Sequence, residues 1–147
     1  MPIVNVDIKR LDPSVPLPAY AYEGDAGLDL RANADIVIAP HARALVPTGL
    51  AIALPDGYAG FVQPRSGMAL KRGLSIANTP GLIDARYRGE LKVICVNLDP
   101  HEPIYIERGE RIAQLVIQEV PVVRLHEVEE LDETNRGTGG FGSSGVN

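Results

Sequence analysis

The chain has 147 residues, 45% of them hydrophobic, with a formal net charge of −5 and a single cysteine. This length suits one domain that buries about two thirds of its unfolded surface without metals or cross-links, and the negative balance argues against a general nucleic-acid binder, which needs a basic surface to displace counterions. One cysteine excludes an internal disulfide, no apolar stretch is long enough to span a membrane, and residues 1–10 lack the apolar core of a signal peptide, so a reducing cytoplasm is the expected setting.

Fifteen glycines and twelve prolines in a chain this apolar point to many turns between short strands rather than to disorder. Ile3–Ile8 alternates apolar and polar residues with β-branched types and is expected to open the fold as a strand. Pro13, Pro16 and Pro18 then break it. Asp25 and Asp29 flank Ala26-Gly27-Leu28 near the start of a further strand. Each is either a turn former or a carboxylate placed to hold Mg²⁺ opposite phosphates. Apolar runs recur at Ile36–Ala39, Leu45–Leu54, Tyr58–Gln63, Leu91–Leu98, Pro103–Ile106, Ile112–Val120 and Val122–Val128. Their rhythm is that of an all-β sandwich or closed barrel. Ser66–Arg72 has room for one helix of about two turns, with Ser66 as N-cap and Gly73 as its stop. Beyond Leu131 the apolar pattern fades, so residues 1–131 form the expected domain and residues 132–147 a flexible glycine-rich tail.

The segment Gly81-Leu82-Ile83-Asp84-Ala85-Arg86-Tyr87-Arg88-Gly89-Glu90 puts a carboxylate and an aromatic ring three residues apart between two strand-like runs. It is either a surface turn or a strand-turn-strand that holds a planar polar ligand and presents a base to it. Pro64-Arg65-Ser66-Gly67 opens the helix candidate, where free N–H groups, a hydroxyl and a guanidinium suit phosphate. The tail, with Arg136, Phe141, Gly142, Ser143 and Ser144, offers amides and donors for anionic oxygens and one aromatic that a plain linker does not need. Gln114 is polar within an apolar strand and either faces solvent or bonds a ligand. Cys95 lies in an apolar run, as a buried hydrophobe does. His41, His101 and His126 show no metal or triad spacing. Hydrolysis would then need a carboxylate-activated water, with Asp84 as the best-placed base.

Taken in order, Ala26–Ala32, Pro64–Gly67, Asn78 with Gly81–Glu90, Gly109–Leu115 and Arg136–Gly145 resemble the five motifs of the homotrimeric dUTPase family, and the resemblance spans nearly the whole chain. It implies a jelly-roll-like distorted β-barrel, three chains around an axis and active sites at subunit boundaries. By the same resemblance Leu82, Ile83 and Asp84 line uracil, with Asn78 and Lys92 beside it, and Tyr87 packs on the deoxyribose. Asp84 orients a water for attack on the α-phosphorus, giving dUMP and pyrophosphate. Mg²⁺ assists, and Asp29 helps hold it through water. Arg65, Ser66, Gly67 and Gln114 contact the phosphates from another subunit, and Arg136, Phe141, Gly142 and Ser143 arrive on the tail of a third. The activity implied limits uracil incorporation into DNA and supplies dUMP for thymidylate synthesis, with dUTP as the partner and neither nucleic acid nor membrane. Three alternatives stand beside it: a dCTP deaminase, which shares the fold and would release ammonia; a non-catalytic dUTP sensor; and an all-β domain of unrelated function.

Overall fold

The computed structural model describes residues 2–145, so the last two residues of the 132–147 tail lie outside the described residues. In chain order its elements are β1 (Asp7–Arg10), β2 (Leu28–Arg31), β3 (Ile36–Ile38), β4 (Arg43–Pro47), β5 (Leu50–Ala53), β6 (Tyr58–Gln63), α1 (Ser66–Arg72), β7 (Leu74–Ile76), β8 (Gly81–Ile83), β9 (Lys92–Asn97), β10 (Ile104–Ile106) and β11 (Arg111–Glu119). A four-stranded sheet runs β2-β11-β6-β8 and a three-stranded sheet runs β4-β9-β7, while β1 pairs with β5 and β10 with β3. Every ladder is antiparallel.

Burial alternates along the strands, as it must when one face of each meets the core. In β9, Val93, Cys95 and Asn97 point inward and Lys92 outward. Leu30, Val62, Ile83 and Leu115 of the larger sheet join Val46, Leu74, Ile76 and Val93 of the smaller in one apolar cluster. The result is a jelly-roll-like all-β fold of two layers around one core. Cys95 is fully buried, and burial pushes its thiol up to about 12, so it packs as a small apolar group rather than reacting. Two polar side chains enter the core with their bonds made. Asn97 donates to the carbonyls of Ile38 and Glu102 and accepts from the N–H of Asp99, and Thr48 donates to the carbonyl of Leu91.

Several expectations need correction. The opening strand lies at Asp7–Arg10 rather than Ile3–Ile8, because a strand exists only where it has a partner and β5 reaches only those residues. Leu45–Leu54 is not one strand: the chain breaks at Thr48-Gly49, where Gly49 takes φ +73, and β4 and β5 enter different sheets. Ser66 is the first residue of α1, not its cap. Arg65 is the N-cap, in extended conformation and without a side-chain cap bond, whereas Gly73 ends the helix in the left-handed region as expected. Leu74–Ile76 is an additional strand. Val122–Val128 forms no strand; it runs exposed, with no partner strand among the described residues. The two strands that flank the turn at Gly81–Glu90 do not pair with each other. β8 pairs with β6 and β9 with β4 and β7, so the segment between them is a corner passing from one sheet to the other.

Candidate active site

The corner between β8 and β9 leaves a gap between the two sheets. Its floor is apolar and comes from both: Leu30 and Val62 from one, Ile76 and Val93 from the other. Its rim carries Asn78, Leu82, Asp84, Tyr87, Glu90 and Lys92, around a cavity of about 160 Å³. The structure therefore brings together Asn78, Leu82, Ile83, Asp84, Tyr87 and Lys92, all anticipated from sequence. An apolar slot with a few polar groups at its mouth is the usual form of a small-molecule site.

The loop that supplies Asp84 is folded on itself. The N–H of Tyr87 donates to the Asp84 carbonyl at 3.1 Å, the guanidinium of Arg88 donates to the Ala85 carbonyl at 2.7 Å, and the Tyr87 hydroxyl donates to the Glu90 carbonyl at 2.8 Å. Gly89 is required here by contact rather than by φ. A Cβ on it would stand 2.5 Å from the Tyr87 hydroxyl oxygen, so only glycine lets the ring lie across this peptide. Asp84 is exposed at the loop's start, directly after the buried Ile83.

A second polar group forms on the larger sheet. Register places Asp29, Gln114 and Gln63 side by side on β2, β11 and β6. A bulge between Arg111 and Ala113 produces this alignment: Ile112 and Ala113 are both buried, and Gln114 returns to the site face. The amide of Gln114 donates to the Pro64 carbonyl at 3.1 Å. Gly27 gives it room, since a Cβ there would lie 2.7 Å from its Oε1. Arg65 lies 3.5 Å and Arg111 3.4 Å from the two oxygens of Asp29, whose side chain is 15% exposed. One carboxylate thus serves two guanidiniums, and the trio keeps one net positive charge. Ser66 and Gly67 are exposed beside it, with open space where a Gly67 Cβ would go. Within the chain this group is separate from the Asp84 cavity: Arg65, Ser66, Gly67 and Gln114 do not line it.

Among the described residues the tail does not line the Asp84 cavity and makes no hydrogen bond or ion pair to the Asp29 group. Arg136 donates to the Gly139 carbonyl at 2.8 Å, two turns follow, and the Phe141 ring stands fully in solvent, with Gly142 and Ser143 exposed next to it.

The three histidines are exposed, and among the described residues no three His, Cys, Asp or Glu side chains gather as metal ligands. Asp29, already engaged by two arginines, does not suit a metal bound directly to protein. Its remaining lone pairs would suit contact through water with a hydrated ion. Sequence reasoning missed Glu90, which lines the cavity, and left Arg111 without a role. Both stand inside the quoted motifs, but the bonds that give them work cross between distant elements.

These features can be set against known proteins. The chain is 61% identical over 143 residues to deoxyuridine 5′-triphosphate nucleotidohydrolase of Corynebacterium glutamicum, a match covering 97% of this chain and 96% of that one. The solved dUTPase of Staphylococcus bacteriophage 80alpha with dUpNHpp superposes with a TM-score of 0.88 at 33% identity, covering 97% of this chain and 99% of that one. A mutant dUTPase from phage phi11 of S. aureus, described as revealing the coordination of a structural Mg(II) ion, matches with a TM-score of 0.80 at 27% identity, over 88% of this chain and 99% of that one. The dUTPase family profile matches residues 14–145, and with the fold, the cavity and these relatives in agreement, the chain belongs to the dUTPase family.

Proposed function

We propose that this enzyme hydrolyses dUTP to dUMP and pyrophosphate with a water that Asp84 orients and deprotonates for in-line attack on the α-phosphorus. The observation that carries this is the cavity at the β8–β9 corner, where an apolar slot ends at an exposed carboxylate and a tyrosine ring. Leu82 and Ile83 offer backbone donors and acceptors to the edge of uracil, as an edge strand does to any extended partner, and Asn78 and Lys92 add polar contacts at the rim. The Tyr87 ring fills the space beneath the deoxyribose, so selection against a 2′-hydroxyl is by exclusion. As the water oxygen bonds to the α-phosphorus its proton passes to Asp84, and the bond to the bridging oxygen breaks to release pyrophosphate.

Arg65, Ser66, Gly67 and Gln114 receive the phosphate chain from a neighbouring subunit, and the 132–147 tail of a third brings Phe141 onto uracil, Arg136 onto the terminal phosphate and Gly142 and Ser143 onto the others. What supports a homotrimer is that these groups do not line the Asp84 cavity of their own chain and that apolar Val122, Val123, Leu125 and Leu131 lie exposed, as residues buried only on assembly do. Asp29 would help hold Mg²⁺ through water, and the ion would supply positive charge to offset that of the triphosphate. No helix of the described residues is long and apolar enough to cross a membrane, and a lone buried thiol accords with a cytoplasmic enzyme that keeps uracil out of DNA and supplies dUMP for thymidylate synthesis.

Incubation with dUTP, dCTP, dTTP and UTP in turn, with and without Mg²⁺, tests this by separate measurement of pyrophosphate and ammonia. Pyrophosphate from dUTP alone is expected. Ammonia from dCTP would make the protein a deaminase, and tight dUTP binding without products would make it a sensor.

A further inference from the structure

Glu90 ends the loop that carries Asp84 and Tyr87, and its two polar groups serve different partners. Its carbonyl accepts the Tyr87 hydroxyl at 2.8 Å. Its carboxylate accepts the backbone N–H of Gly49 at 3.1 Å. The tyrosine is therefore held by a peptide unit that is itself held by the turn between β4 and β5. That turn has little freedom. Gly49 is buried at φ +73, and a Cβ on it would press within 2.8 Å of Val15 and 2.9 Å of Asn33. The fully buried Thr48 donates its hydroxyl to the Leu91 carbonyl at 2.6 Å, and the Leu91 N–H donates to the Leu50 carbonyl at 2.8 Å. Consecutive residues at the loop's end are thus pinned to consecutive residues of a packed turn.

Tyr87 itself is half exposed, and the Gly89 backbone lies directly under its ring. The bond from its hydroxyl to the Glu90 carbonyl ties the outer end of the ring to the end of the loop.

We infer that Glu90 is a positioning residue for sugar selection: anchored on Gly49, it fixes the carbonyl that receives the Tyr87 hydroxyl and so sets how firmly the ring excludes a 2′-hydroxyl. The inference rests on the assignment of Tyr87 to the deoxyribose. It extends the selection of substrate to a turn that does not line the cavity.

Steady-state kinetics of the full chain with dUTP and UTP test it. Glu90→Ala is expected to lower the dUTP-to-UTP ratio of kcat/KM by roughly fivefold or more, the scale of one lost hydrogen bond, with the loss in selectivity larger than any loss in kcat for dUTP. Glu90→Gln keeps an oxygen for the Gly49 N–H and is expected to hold the ratio near wild type. The pair Tyr87→Phe and Glu90→Ala is expected to be no worse together than the stronger alone, since both break one chain of bonds. An unchanged ratio in Glu90→Ala, an equal defect in Glu90→Gln, or a uniform loss of kcat for both nucleotides with a lower Tm would overturn it. Tyr87→Ala separates the two levels. If that variant keeps the wild-type ratio, the assignment of Tyr87 to the sugar fails and this inference with it. If it loses the ratio while Glu90→Ala retains it, only the role of Glu90 fails.

Discussion

Asp29 and Asp84 are the two carboxylates to which the proposed mechanism gives a role, and their surroundings differ. Asp29 is mostly buried and shared between Arg65 and Arg111, so it holds those guanidiniums in place. Asp84 is exposed at the mouth of an apolar slot, on a loop whose backbone is fixed by the Tyr87 and Arg88 bonds. A base needs this combination of a fixed position and oxygens within reach of water. Asp84→Asn preserves shape and removes the proton acceptor. Turnover is therefore expected to fall by about 10² to 10⁴, the range for loss of one general base, while a non-hydrolysable dUTP analogue still binds. Pyrophosphate release and calorimetric titration measure the two quantities separately, and turnover that survives the substitution would remove Asp84 from the mechanism.

Between strands, polar groups in the core and at the turns decide how the sheets are joined. Asn97 is fully buried at the end of β9 and satisfies the carbonyls of Ile38 and Glu102 and the N–H of Asp99. Truncation would break three bonds, one of them buried and two part-buried, and leave a cavity, so Asn97→Ala is expected to destabilise by about 2–4 kcal/mol, seen as a lower urea midpoint at unchanged slope. A second junction joins the N-terminal segment to the β10–β11 turn: Arg108 donates to Asp12, Ser14 and Asn33. The backbone N–H of Ser14, then its hydroxyl, holds the Asp12 carboxyl down to about 2 from an ordinary 3.8. A carboxyl lowered on folding adds stability above its unfolded pKa and loses it as pH falls through the folded value, so this contribution is whole above about pH 5 and is lost progressively toward about pH 1. The Tm gap between wild type and Asp12→Asn is expected to close across that window, and a gap independent of pH from 5 to 2 would contradict it. How far such elements can be read from sequence depends on where their signals lie. β6 and α1 fall at Tyr58–Gln63 and Ser66–Arg72, as expected, because alternation and a terminal glycine are local. The break at Thr48-Gly49, the Leu74–Ile76 strand and the separate partners of β8 and β9 depend on contacts between distant segments, which periodicity does not encode. At the site the cavity residues were named through the family resemblance, in or next to one of its motifs, whereas the work of Glu90 and Arg111 runs through Gly49 and Asp29, each far away in sequence.

At the scale of the whole molecule, one chain holds every part of the proposed site but does not assemble them. Among the described residues the Asp84 cavity, the Asp29-Arg65-Gln114 group and the tail sit apart on it, and apolar side chains between β11 and the tail, Leu125 at 95% exposure among them, lie open to solvent. A trimer that shares residues across subunits explains both facts, and subunit mixing tests it more sharply than molecular mass does. A chain ending at residue 131 has Asp84 but no tail; an Asp84→Asn chain has a tail but no base. Each alone is expected to be nearly inactive. Denatured together in equal amounts and refolded, they form mixed trimers in which a site works when its cavity comes from a truncated chain and its tail from an Asp84→Asn chain. Random assembly makes those two conditions independent, each met half the time, so activity is expected to return to about a quarter of wild type. Were each chain to close its tail over its own cavity, no mixture would contain a complete site and activity would stay at the level of the parents. The size of the recovery therefore reports which chain supplies the lid, independently of how large the assembly is.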